Sequence, residues 1–137
     1  MRLFLDANVL FSAAKSAGPM RELLMSLVRA DHDLRADDYV VEEARRNLAL
    51  KNPEAAGQLD EVLRVVTVAR GPAKVRTHAS LPLPDKDQPV MEAAIALGCH
   101  VLVTGDKTHF GALYGKSVEG VEVLSPAQVA AKLLAAR

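Results

Sequence analysis

Two short apolar runs, Leu3-Phe4-Leu5 near the amino terminus and Val101-Leu102-Val103 near the carboxy terminus, each lead into an aspartate. They constrain the fold more than any other feature of the chain. Runs this short, and apolar at every position, suit strands buried on both faces, the kind found in parallel sheets covered by helices. In such a sheet all the carboxyl ends lie along one edge. Asp6 and Asp106 are therefore expected to emerge on the same side, where open α/β folds bind ligands.

The rest of the chain supplies the helices. Asn8 can cap a helix reaching Ala17, which Gly18-Pro19 then breaks. A second helix, from Met20 to Arg29, carries Leu23, Leu24, Leu27 and Val28 at helical spacing. A short strand is expected around Leu34, then a helix from Tyr39 to Leu50 capped by Asp37 or Asp38 and striped by Val40, Val41, Ala44 and Leu48. Asn52-Pro53 allows a further helix to Arg64, and Val62 to Ala69 reads as a valine-rich strand. Gly71 to Pro84 reads as a loop. Asp87 can cap a helix from Gln88 to Leu97, with Gly98 after it. Beyond the Val101 strand come a short helix from Thr108 to Tyr114, a strand from Val121 to Leu124 and a closing helix opened by Ser125-Pro126. Strands alternating with helices predict a three-layer α/β/α sandwich with a mostly parallel central sheet. The length of 137 residues, with no linker or repeat, predicts a single domain over residues 1–137.

Charge narrows the function classes. Basic and acidic side chains balance at 17 each, so there is no basic tail to hold nucleic acid. A local patch can still steer a polyanion. Cys99 is the only cysteine, which rules out an internal disulfide. The apolar start is interrupted by Asp6 and Asn8 and does not read as a secretory signal. No run approaches the roughly 20 apolar residues of a membrane span. The expectation is a soluble cytoplasmic protein without a membrane partner.

Two further carboxylates are placed to join the strand ends. Asp87 stands at the front of the helix feeding the Val101 strand, and the amino ends of such helices lie near the carboxyl ends of the strands. Glu43 projects closer to the apolar stripe of its helix than Glu42, although the angular difference is modest, and Asn47 shares its face. Asp85 competes with Asp87 but reads as a turn residue. Carboxylates packed together repel one another, and a divalent cation removes that cost. Hard oxygen donors suit Mg²⁺ or Mn²⁺, and such ions hydrolyse phosphodiesters in line, leaving a 5′-phosphate and a 3′-hydroxyl.

The chain resembles the PIN-domain family, the ribonuclease fold of VapC-like toxins and of related stand-alone nucleases. The matching segments are Leu5-Asp6-Ala7-Asn8-Val9, Glu43 to Leu48, Asp87-Gln88-Pro89-Val90 with Ala93-Ala94, and Leu102-Val103-Thr104-Gly105-Asp106. The resemblance implies metal ligation by Asp6, Glu43, Asp87 and Asp106, with Asn8 and Thr104 supporting them by hydrogen bonds. It implies an RNA substrate, an antitoxin protein for members that are toxins, and a homodimer. Some members carry another acid just after the last aspartate; here Lys107-Thr108-His109-Phe110 has none. Lys107 and Arg46 are the basic residues expected to meet substrate phosphates. The other members of the clusters Arg45, Arg46, Lys51 and Arg70, Lys74, Arg76 read as solvated. The histidines His32, His78, His100 and His109 lack zinc spacing. His109, although close to Asp106, reads as a surface side chain, and Cys99 as inert core. The alternative on the same fold is a non-catalytic RNA- or protein-binding module. A phosphoacceptor enzyme is disfavoured because Asn8 stands where a second acid is needed.

Overall fold

The computed structural model describes residues 1–70 and 82–134. The expected loop from Gly71, together with Lys74, Arg76 and His78, lies largely or wholly outside them. Among the described residues, six strands form one sheet: β1 (Arg2–Leu5), β2 (Asp33–Asp37), β3 (Thr67–Ala69), β4 (Val101–Val103), β5 (Ser117–Val118) and β6 (Val121–Leu124). Their order is β3-β2-β1-β4-β6-β5. All neighbours run parallel except β5, which is antiparallel to β6.

The central strands behave as their sequences dictate. Leu3, Phe4 and Leu5 are all fully buried, as are Val101, Leu102 and Val103 to within 1%. Successive side chains on a strand point to opposite faces, so burial of every position requires a covering layer on each side. The fold is the three-layer α/β/α sandwich expected, with a mostly parallel sheet.

The helices are α1 (Ala7–Lys15), α2 (Pro19–Arg29), α3 (Asp38–Lys51), α4 (Ala56–Leu63), α5 (Gln88–Ala96), α6 (Lys107–Phe110) and α7 (Pro126–Val129). Among the described residues, no helix is long and apolar enough to cross a membrane.

Several local expectations change. Asp6, not Asn8, is the cap of α1, its carboxylate accepting from the Ala7 amide. The helix stops at Lys15 because Ser16 is already extended. Asp37 caps α3 by accepting from the Val40 amide. β3 is shorter than its valines suggest, since Val62 is buried within α4. Asp87 makes no side-chain cap for α5, because a 3₁₀ turn, Asp85–Asp87, leads into that helix instead. β5 was not anticipated. It is joined to β6 through Glu119 (φ 47°) and Gly120 (φ 86°), consecutive left-handed residues of the kind that turn a tight hairpin. Ser125 and Gln128 form a reciprocal capping box on α7, which then widens into a π turn, Ala130–Leu134.

Candidate metal centre

The sheet order creates the site. From β1 the chain moves outward through β2 to β3, then crosses back to β4 on the other side of β1. The crevice outside the carboxyl ends of β1 and β4 is where strand order reverses, the place α/β sheets hold ligands. Register pairs Leu5 with Val103, and the ladder continues one step, the Asp6 amide donating to the Val103 carbonyl at 3.0 Å. Asp6 and Thr104 therefore leave the sheet as neighbours.

One hydroxyl laces these ends together. Thr104 is fully buried. Its Oγ1 donates to Asp6 Oδ2 at 2.8 Å and accepts from the Asp106 amide at 3.1 Å. Asn8 adds a second stitch. Its Nδ2 donates to Asp6 Oδ2 at 3.2 Å and to Thr104 Oγ1 at 3.3 Å, while its Oδ1 accepts from the Gly105 amide at 2.8 Å. Gly105 suits this closeness, since a Cβ there would lie 3.3 Å from Asn8 Oδ1. Tyr114 closes the far side, its hydroxyl donating to the Thr104 carbonyl at 2.7 Å.

Asp6 is only 5% exposed. Burial pushes its carboxyl up from 3.8 to about 6, against hydrogen bonds from Thr104 and Ala7, and the charges of Glu43 and Asp87 push it further. Glu43 is thus close enough to Asp6 to be felt. It is half-buried on α3, whereas Glu42 is exposed. Burial also raises the Asp87 carboxyl, with the His109 ring and Lys86 opposing and Asp106 adding to the rise.

Asp87, Asp106 and His109 form the other half of the cluster. One ligand-type atom from each lies within 4.8 Å of the others. His109 Nδ1 is 2.8 Å from Asp87 Oδ2 and 2.9 Å from Asp106 Oδ2. The expectation of a surface histidine is corrected: its side chain is 29% exposed and turned between the carboxylates. The signal was present in the spacing. Asp106 caps α6 by accepting from the His109 amide at 3.1 Å, and a cap residue faces the residue three positions on.

The remaining expected residues lie at the periphery. Lys107 is exposed beside Asp106. Arg46 is exposed on α3, and its charge is felt at Tyr39, whose hydroxyl donates to the Lys86 carbonyl. Arg45 pairs with Asp60 at 2.8 Å. Asp85 is exposed. Cys99 is buried, which pushes its thiol up to about 11 and keeps it inert as expected.

The donor set fits a divalent cation. Asp6 and Asp87, carboxylates whose affinity for protons burial raises, are groups that a hard cation would relieve, and Asp106 stands beside Asp87 at the end of β4.

Comparison with known proteins agrees with this picture. No curated protein sequence matches the chain. Among solved structures it is similar to VapBC2 of Rickettsia felis bound to a DNA fragment from its promoter, at 18% identity and a TM-score of 0.69, covering 91% of this chain and 98% of that one. It is similar to VapBC-1 of nontypeable Haemophilus influenzae at 13% identity and a TM-score of 0.63, covering 93% and 99%. It is also similar to VapC20 of Mycobacterium tuberculosis, a sarcin–ricin-loop-cleaving toxin, at 15% identity and a TM-score of 0.55, covering 85% and 97%. At these identities the likeness concerns the fold. The model of the PIN domain matches residues 2–108, a span that holds Asp6, Glu43, Asp87 and Asp106, and the chain belongs to the PIN-domain family.

Proposed function

We propose that the chain is a metal-dependent endoribonuclease and the toxin of a toxin–antitoxin pair. In this reading residues 1–137 act as one domain in the cytoplasm, as a homodimer that an antitoxin protein restrains. Asp6, Glu43, Asp87 and Asp106 hold Mg²⁺ or Mn²⁺, and Asn8 and Thr104 fix their positions. The observation that carries the reading is Asp6. It is buried, within the fields of Glu43 and Asp87, and drawn up to about 6, a burdened carboxylate that a divalent cation would relieve. The toxin assignment draws on solved structures that the chain resembles, two VapBC complexes and a toxin that cleaves the sarcin–ricin loop.

A bound ion supplies an activated water and neutralises charge on the leaving oxygen. The chain's own groups do the rest. Thr104 and Asn8 hold the Asp6 carboxylate and the Asp106 amide in one frame, so little reorganisation accompanies binding. Lys107 and Arg46, both exposed, attract phosphates and orient the backbone of the RNA. With few aromatic side chains, recognition leans on backbone and shape rather than stacking.

The test is cleavage of RNA by purified protein with Mg²⁺ or Mn²⁺. EDTA should stop it, and Asp106→Asn should lower the rate by about 10²-fold or more, as for loss of an electrostatic stabiliser. Cleavage at the parental rate by that variant, or RNA binding without cleavage under both ions, overturns the assignment.

A further inference from the structure

We infer that His109 is a nitrogen ligand of the metal site and that it biases the site towards Mn²⁺ over Mg²⁺. This role rests on the metal-nuclease reading above and adds to it a ligand and an ion preference.

The position of the ring carries the assignment. His109 Nδ1 lies 2.8 Å from Asp87 Oδ2 and 2.9 Å from Asp106 Oδ2. Neither approach is aligned as a hydrogen bond, and Nδ1 and Asp87 Oδ2 are both buried atoms without a hydrogen-bond partner. Nδ1 is thus in contact with an oxygen of each carboxylate, as a proton or a cation shared between them would require. Adjacent donors around an octahedral ion with bonds of about 2.1 Å stand about 3.0 Å apart, close to the distance from Nδ1 to each carboxylate oxygen. The ring is also held in place. The His109 amide donates to Asp106 Oδ1 at 3.1 Å, and the next residue, Phe110, is fully buried. That turn therefore fixes the imidazole against Asp106 and turns it towards Asp87.

Ion preference follows from donor chemistry. Mg²⁺ is a hard cation that takes oxygen ligands and keeps its waters. An imidazole nitrogen is a borderline donor that favours first-row transition ions. With Asp6, Asp87 and Asp106 as oxygen donors and one nitrogen among them, the site is matched to Mn²⁺ better than an all-carboxylate site is.

The experiment is a titration of the purified full chain with Mn²⁺, read by electron paramagnetic resonance, with electron spin-echo modulation for ¹⁴N coupling and Mg²⁺ as competitor. The expected result is ¹⁴N modulation in the parent protein. In His109→Ala the modulation should vanish and Mn²⁺ affinity should fall by about tenfold or more, the loss typical when a partner at a metal site is removed, with Mg²⁺ affinity changing by less than about threefold. Mn²⁺ bound by the parent without ¹⁴N modulation overturns the role of His109 and leaves the metal site standing. Equal losses for both ions in the variant overturn the ion preference. A parent that binds neither ion overturns the metal reading itself, and His109 with it. The parent spectrum needs no variant, so misfolding of His109→Ala leaves the question answerable.

Discussion

Replacing Asp6 by asparagine should make the metal-free protein more stable at neutral pH. The carboxyl of Asp6 has an ordinary value of 3.8 and a folded value of about 6. Between these values the native state holds a proton that the unfolded chain has released, so stability falls as pH rises through this window. At about 1.4 kcal/mol per pH unit, the difference leaves the folded state about 3 kcal/mol less stable at pH 7 than with a neutral group. Asp6→Asn removes that penalty. It also gives up acceptor capacity, because the carboxylate accepts from the Ala7 amide at 2.7 Å, the Thr104 hydroxyl at 2.8 Å and Asn8 Nδ2 at 3.2 Å. An amide offers one oxygen, and the mismatch costs about 1 to 1.5 kcal/mol. The net gain is about 1.5 kcal/mol. At roughly 4 °C per kcal/mol for a chain of this size, the variant should melt about 6 °C higher in EDTA at pH 7. Near pH 4 the penalty shrinks to about 0.6 kcal/mol, so the order should reverse. Mn²⁺ should also reverse it, since an ion at about 100 times its Kd stabilises the parent by about 2.7 kcal/mol and should leave the variant where it was. Differential scanning calorimetry across pH, with EDTA or Mn²⁺, measures all of these crossings. A variant that melts below the parent in EDTA at pH 7 would refute the account of a strained, uncompensated carboxylate.

Thr104→Val should destabilise the fold by about 2 to 3 kcal/mol in urea denaturation, because it leaves the part-buried Asp106 amide without its acceptor and the buried Asp6 Oδ2 without its hydroxyl donor. Thr104→Ser should recover most of the loss. Gly105→Ala places a Cβ 3.3 Å from Asn8 Oδ1. It should lower RNA cleavage, read by gel assay, while Tm moves by only a few degrees. Ser125→Ala breaks the reciprocal cap with Gln128 and should cost about 1 kcal/mol by chemical denaturation, with no change in cleavage.

The layer architecture was legible because β1 and β4 are apolar at every position, which only a doubly covered sheet explains. The meeting of Asp6 and Asp106 at one sheet edge was legible for the same reason. What sequence could not resolve was how polar side chains divide their work. Asp6 and Asn8 are both good helix caps. The structure gives that task to Asp6 and uses Asn8 to bridge two strands, a long-range pairing that local pattern does not encode. Asp87 sits where a cap is expected, yet the 3₁₀ turn before α5 frees its carboxylate to face His109. His109 reads as a surface residue in sequence because the histidines lack zinc spacing, whereas its contact with Asp87 comes from the 3₁₀ turn before α5, 22 residues away. β5 is two residues long and has no apolar run to announce it.

The pairing of β1 with β4 also bears on how such a chain is made. Asp6 and Thr104 are joined across 98 residues of sequence, so the cluster cannot close while the chain is still short. Pairings this remote in sequence are slow to form, because the entropy of a long loop must be lost before any contact rewards it. During synthesis the early residues wait on the ribosome with one carboxylate in place. The cluster therefore cannot assemble until Thr104 and Asp106 have emerged.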